Sequence, residues 1–395
     1  MSDSEVIFTD AARDTDQELA RIDGEIDWLT RLTPINLDEV REGFAKSGYR
    51  RMPELAYDDL PDGFDNLRDR LLALQVHGLR NSEIEALLIE KQRELDRQIE
   101  VVRLRGRTGF TMAAIDLFGD VDPRLLETAE KILAAVPTRD EPAPLDTDAP
   151  TFIAAARKEM ENYRQQDDRF GFRVIEEEMP GTHLFTSGGN LHVAVDYRLN
   201  SARIGALIQH EIGTHTVTRF NGSCQPLACL ECGLADYDAL QEGIAVLAEY
   251  LAGNLPPSRL RLLAARVVAA RMAIDDAPAA EIYAAMHEEH SLREEAAFDT
   301  TMRALRGGGM TKDALYLDGL IDLMAYLRAD GDVSFLFIGK FALKQRTALT
   351  RLLDAGFLKP PAIMPECFAG PEAERRIREA ATLNIEQFHR ERTTA

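Results

Sequence analysis

His210-Glu211-Ile212-Gly213-Thr214-His215 gathers, within six residues, the side chains that metal-assisted hydrolysis needs: two imidazoles to hold an ion and a carboxylate between them to move a proton. The apolar run Ala206-Leu207-Ile208 just before it would anchor a helix. In the common zinc-peptidase pattern His-Glu-x-x-His, residues four apart differ by about 40° around the helix axis and aim at one ion. Here the histidines are five apart, about 140° on an ideal α-helix, which would turn the second imidazole away. A single π-bulge returns the residue five along to the same face, and Gly213 lies where backbone strain would be smallest. The spacing therefore predicts a distorted helix; the competing reading is two histidines on a helix surface.

A catalytic zinc takes three protein ligands and keeps one position open, so a third donor is required. In Tyr237-Asp238-Ala239-Leu240-Gln241-Glu242-Gly243-Ile244-Ala245-Val246-Leu247-Ala248-Glu249, helical spacing puts Asp238, Glu242 and Glu249 roughly on one face. Glu242 is the expected third ligand, giving one Zn2+ per chain held by His210, His215 and Glu242. Asp238 and Glu249 are expected behind it, orienting the imidazoles through their free ring nitrogens. Glu211 would be the general base that takes a proton from water and passes it to the leaving amine.

Helical apolar spacing marks 15 to 35, 65 to 80 and 82 to 105, and Asp122-Pro123 would start a further helix over 122 to 136. The Pro- and Asp-rich stretch 137 to 150 reads as a connection. Beyond a helix near 151 to 164, short apolar runs punctuated by Pro180-Gly181 and Gly188-Gly189 form the best strand region, where an extended substrate could pair by strand addition. A helix begins near Asn200 or Ser201, and the pattern stays mostly helical to about 330, broken at Gly307-Gly308-Gly309. Prolines 360, 361, 365 and 371 precede a charged final helix at about 372 to 392. The expected fold is mainly α (α+β), with a small antiparallel sheet beside the metal helix. Residues 1-145 form a helical N-terminal region packed on a catalytic part at 146-395.

Forty-six Lys and Arg against sixty-seven Asp and Glu leave a net charge of −21, a field that repels nucleic acid and anionic lipid. No apolar run approaches the roughly 18 residues of a membrane span. The first thirty residues lack the basic and apolar regions of a secretory signal, and four cysteines suit a reducing compartment, so a cytoplasmic location is expected. Cys229 and Cys232 form a Cys-x-x-Cys with only Cys224 near it in sequence, and His287 and His290 lack a third partner; neither set is expected to bind metal.

The metal motif, followed by Asn221-Gly222, Gln225-Pro226-Leu227, Gly233-Leu234-Ala235, Tyr237-Asp238 and Gln241-Glu242-Gly243-Ile244-Ala245, resembles the QEGLA-motif family. That family includes bacterial proteins described as modulators of flavohaemoglobin expression and animal microtubule-associated tyrosine carboxypeptidases. The resemblance extends from Arg105-Gly106-Arg107-Thr108 to Pro360-Pro361; Ile244 stands where the family motif usually has leucine. It implies a zinc carboxypeptidase that removes a C-terminal tyrosine or phenylalanine from a peptide or protein, with His210, His215 and Glu242 as ligands and Glu211 as base. Substrate identity does not transfer with it.

A carboxypeptidase must hold a free carboxylate. Arg303, Arg306 and Lys312, in the glycine-flanked stretch, are the expected binders, an ordinary salt bridge being the competing reading for each. Tyr316 is the expected donor to the developing oxyanion. Asn190 is expected to bond the substrate backbone or to serve a turn. An endopeptidase or aminopeptidase on the same metal is the first alternative, and a regulatory protein that keeps the metal fold without turnover is the second.

Overall fold

A computed structural model describes residues 6–138, 143–178, 184–306 and 310–389. Pro180-Gly181, Gly307-Gly308-Gly309, the middle of the 137 to 150 connection and the end of the expected last helix lie outside the described residues. The protein is mainly helical with two small sheets. None of its described helices is long and apolar enough to cross a membrane.

The N-terminal helices start where side chains can satisfy the open backbone N–H groups. Thr9 caps Asp10–Ile26, Asn81 caps Ser82–Leu104, and Asp122 caps Pro123–Ala135, with proline in the first turn. The helix expected over 15 to 35 ends at Asp27, which adopts a left-handed conformation (φ 40°) before the short helix Trp28–Arg31. Two carboxylates tie this layer to the loops around the site. Asp16 accepts from the backbone N–H groups of Ala228 (2.5 Å) and Cys229 (3.0 Å), and Glu94 from that of Asp236 (2.7 Å). Glu94 is buried together with Lys91, whose ammonium also reaches Asp23 at 2.7 Å, so the charges under the site loops are paired.

The larger sheet has Asn190–Ala194 between Val174–Glu177 and Leu184–Ser187. It corrects the antiparallel expectation: Leu184–Ser187 pairs antiparallel to the central strand, whereas Val174–Glu177 pairs with it in parallel. The hairpin at Gly188-Gly189, both at positive φ, reverses the chain into a slot between the two outer strands, so its neighbours run in opposite directions. Leu191 and Val193 alternate inward and are buried. Thr147–Asp148 and Arg198–Leu199 form a separate antiparallel pair.

Asp238–Leu251 is the central helix and is buried on almost every side. It crosses Thr311–Arg328 at two glycines. A Cβ on Gly243 would lie 2.4 Å from the Gly319 carbonyl oxygen, and one on Gly319 would lie 1.7 Å from the Ala239 carbonyl oxygen. Backbone therefore meets backbone, and Lys312 and Tyr316 are drawn up against Glu242. The last long helix is shorter than its charge pattern suggested, running Gly370–Ala381 before Asn384 opens a new 3-10 turn. Gly319→Ala is expected to cost about 1–3 kcal/mol through overpacking of this crossing. Urea denaturation would check it, and a variant as stable as the parent would show that the crossing can relax.

Candidate metal centre

Ile204–Ile208 is α-helical, Gln209–Thr216 is π-helical, and Val217–Ser223 returns to α. The π segment is the distortion that the five-residue spacing predicts. It brings the two imidazoles together, with ring centroids of His210 and His215 5.2 Å apart and nearly perpendicular, at 80°. Hydroxyls satisfy the widened turns: Thr214 donates to the Gln209 carbonyl (3.0 Å), and Thr216 to those of Gly189 (3.0 Å) and Glu211 (3.4 Å). Thr216 thereby pins the hairpin turn to the metal helix. A Cβ on Gly213 would lie 2.4 Å from the Gln209 side-chain oxygen, and Glu159 anchors that carboxamide through its nitrogen at 2.9 Å. Glycine is thus called for by side-chain packing as well as by backbone freedom.

Glu242 completes a triangle. Its Oε2 lies 3.8 Å from His210 Nε2 and 3.7 Å from His215 Nε2, is buried, and has no hydrogen-bond partner among the described residues. Leaving a buried carboxylate oxygen without a donor is costly, and a cation at the centre of the triangle removes that cost. With ligand bonds of about 2.0–2.2 Å, donors this far apart can share one ion. Among the described residues this is the one group of His, Cys, Asp or Glu whose donor atoms converge closely enough to hold a metal. The Cys-x-x-Cys and the pair His287/His290 are not part of any such group.

Electrostatics prepares the two imidazoles differently. Burial pushes His215 down to about 3, so its ring is neutral and its nitrogen available. Burial also opposes charge on His210, but the Glu249 hydrogen bond, followed by the Glu211, Glu249 and Glu242 carboxylates, outweighs it and raises the pKa. His210 Nδ1 lies 3.0 Å from Glu249 Oε1, which leaves Nε2 facing the triangle. Glu249 is in turn gripped by Arg203 at 2.6 Å and Arg259 at 2.9 Å, two arginines that the sequence did not single out. For Glu242, burial raises the pKa, yet Lys312 and then the two imidazoles overcome it and hold the carboxyl at about 2.

Glu211 is buried beside the triangle. Its Oε1 is 3.9 Å from His210 Nε2, and its Oε2 accepts from the Thr186 hydroxyl at 2.7 Å. Burial raises its pKa above that of a free glutamate, against the opposing pull of His210 and Thr186. Thr186 belongs to Leu184–Ser187, which has one edge unpaired among the described residues, and its place beside Glu211 was not foreseen.

The outer residues depart from expectation. Asp238 does not orient an imidazole; it accepts from Lys312 at 3.2 Å, because the first turn of its helix faces Thr311–Arg328. Lys312 also reaches Glu242 Oε1 at 3.3 Å, so its charge is committed within the fold instead of waiting for a substrate carboxylate. Arg303 is committed likewise, forked onto Asp313 at 2.6 and 2.5 Å, with Arg266 behind at 3.8 Å. Arg306 has one buried nitrogen without a partner among the described residues, and burial, then the Arg303 charge, push it down to about 10. Asn190 accepts from the Arg173 backbone N–H at 2.9 Å and so braces the neighbouring strand, the turn role. Tyr316 stacks between cations, 5.5 Å from Lys312 and 5.4 Å from Arg266, and burial with the nearby Glu242 charge raises it to about 12. Sequence reasoning also passed over Lys340, which burial and then Arg219 push down to about 8. Nothing in its local sequence marks it; only the fold carries it to His215.

A family model described as Microtubule-associated tyrosine carboxypeptidase matches residues 42–384. The chain belongs to that family. The match spans every residue of the centre, from Thr186 to Lys340, so the geometry above is that of a member of a carboxypeptidase family. No curated protein matches the chain. Glu249→Gln, which keeps the shape and removes the charge that orients His210, is expected to weaken metal binding by about 10- to 100-fold. Competition with a chromophoric chelator would measure it, and unchanged affinity would remove Glu249 from the centre's support.

Proposed function

We propose that the protein is a zinc-dependent carboxypeptidase that hydrolyses the peptide bond before a C-terminal tyrosine or phenylalanine. The observation that carries the reading is the orphaned, buried Glu242 Oε2 facing two imidazole nitrogens, in a chain of a carboxypeptidase family. His210, His215 and Glu242 would hold the ion, one per chain, a two-histidine, one-carboxylate set usual for catalytic zinc. Zinc bound there would supply a Lewis acid that polarises the scissile carbonyl and acidifies water.

The chain's own residues account for the remaining steps. Glu211, turned by Thr186 and buried enough for its pKa to rise, takes the proton of the attacking water and returns it to the leaving amine. Tyr316 makes no hydrogen bond among the described residues, and its high pKa keeps its proton available for the oxygen that becomes negative as the carbonyl is attacked. The unpaired edge of Leu184–Ser187 offers backbone groups to an extended peptide, aligning it past Glu211. Glu249, Arg203 and Arg259 keep His210 aimed throughout.

Glu211→Gln is expected to retain one metal per chain and to lose activity by about two to four orders of magnitude. The check is mass spectrometry of a peptide library digest, with metal content measured in parallel. Cleavage at the parent rate would remove Glu211 as the base. Release of single C-terminal aromatic residues, blocked by amidation and by chelator, is the expected wild-type pattern. Cleavage of amidated peptides would instead favour an endopeptidase or aminopeptidase, and bound metal without turnover would favour a regulatory protein.

A further inference from the structure

A carboxypeptidase has to recognise a negative charge one residue beyond the bond it cuts, and most cations near this centre are already spent. Arg203 and Arg259 hold Glu249, Arg303 and Arg266 face Asp313, and Lys312 is shared by Asp238 and Glu242. Lys340 differs. Among the described residues it forms no ion pair; its ammonium rests 5.4 Å from the centroid of the Tyr237 ring. Its charge bears on His215 more strongly than that of Lys312 does, which places it beside that ring on the side away from Lys312.

The backbone fixes Lys340 there with unusual care for a loop residue. Its N–H donates to the Leu230 carbonyl at 2.9 Å, and its own carbonyl accepts from Leu234 N–H at 3.0 Å. A Cβ on the preceding Gly339 would lie 2.9 Å from the Leu230 carbonyl oxygen, so the two segments approach as closely as backbone allows. The Gln225 carboxamide holds the Ile338 carbonyl at 3.0 Å, and the segment joins the loop that leads from the metal helix to Glu242. Three independent restraints thus hold in place a cation with no counterion. A buried, unpaired ammonium costs stability, and that cost is recovered when a ligand brings the anion.

We propose that Lys340 is the receptor for the free α-carboxylate of the peptide substrate, beside His215. The proposal rests on the carboxypeptidase reading above and adds to it the residue that makes the enzyme act at a chain end. A lysine suits the task as a point charge: it separates an acid from an amide by charge and does not demand the two-pronged geometry that a guanidinium imposes.

The test uses metal-loaded, full-length protein carrying Glu211→Gln, so that peptide is bound without being cut. A short peptide ending in free tyrosine and the same peptide ending in tyrosinamide are titrated by calorimetry, with Lys340 intact, as Lys340→Met and as Lys340→Arg. With Lys340 present the acid is expected to bind about 10- to 100-fold more tightly than the amide. In Lys340→Met the two should bind within about twofold of one another, the amide affinity staying as it was, while Lys340→Arg keeps part of the preference. Metal content and the thermal midpoint establish that each variant is folded; should Lys340→Met fail to load metal, Lys340→Gln takes its place. A full preference surviving in Lys340→Met overturns the assignment and leaves the carboxypeptidase reading standing. No preference with Lys340 intact, together with wild-type cleavage of amidated peptides, overturns both.

Discussion

The width of one helical segment sets everything else in this protein. Between Gln209 and Thr216 the helix is wound so that residues five apart share a face, and only with that winding do His210 and His215 point at one place. A π segment is poorer in backbone geometry than an α-helix and has to be held by its surroundings. Here Thr214 and Thr216 donate to carbonyls that the wider turn leaves short of donors, Gln209 packs across the space that Gly213 leaves open, and Thr218 links the helix to Gln241 at 2.7 Å. Each restraint lies on a different wall of the site. The sheet, the Ala149–Gln166 helix and the central helix therefore all meet at the distortion, and the fold is organised around a local conformation that would not persist alone.

Around that segment the charges are arranged in pairs that leave one place unsatisfied. Glu249 has two arginines and an imidazole, Asp313 two arginines, and Asp238 one lysine. Glu242 has Lys312 on one oxygen and nothing on the other. In a chain of net charge −21 the same pattern could have come from acids simply crowding together, but crowding raises carboxyl pKa values, and Glu242 is instead held at about 2. A carboxylate kept ionised, buried and half-bonded next to one neutral imidazole is a set of donors arranged for a cation. Lys312 contributes by keeping Glu242 ionised, which a substrate-binding lysine in constant exchange with solvent could not do as well.

Much of this was legible in the sequence because it followed from periodicity. Five-residue spacing between two histidines forces a choice between divergence and a widened helix. The helical offset from Glu242 to Glu249 puts the second carboxylate within reach of the imidazole that the first one faces. What periodicity cannot supply is the identity of the neighbour across a crossing. Asp238 shares a face with Glu242, yet its partner is Lys312, because the side that the first turn presents is decided by a helix seventy residues further along. Arg303 and Lys312 read as free basic residues for the same reason: Asp313 and Glu242 meet them only in the folded chain. The parallel strand pairing escaped notice because a hairpin signal reports its own two strands and not the third that closes on them. Lys340 escaped because its position depends on hydrogen bonds to residues more than a hundred positions away in the chain.

The glycine in Gln241-Glu242-Gly243 shows how a motif can join two unlike demands. Gln241 binds Thr218 on the metal helix, Glu242 turns to the metal triangle, and Gly243 faces away from both, against the backbone of Gly319. Glu242 needs a cation close to its Oε1, and Lys312 can provide one only if its helix approaches to backbone contact, since the ammonium must reach Asp238 and Glu242 together. Any side chain at position 243 or 319 would widen the crossing and draw Lys312 back, and the carboxylate would lose the charge that keeps it ionised in a buried setting. The glycine does no chemistry. It sets a distance between two helices, and through that distance the protonation state of the residue beside it.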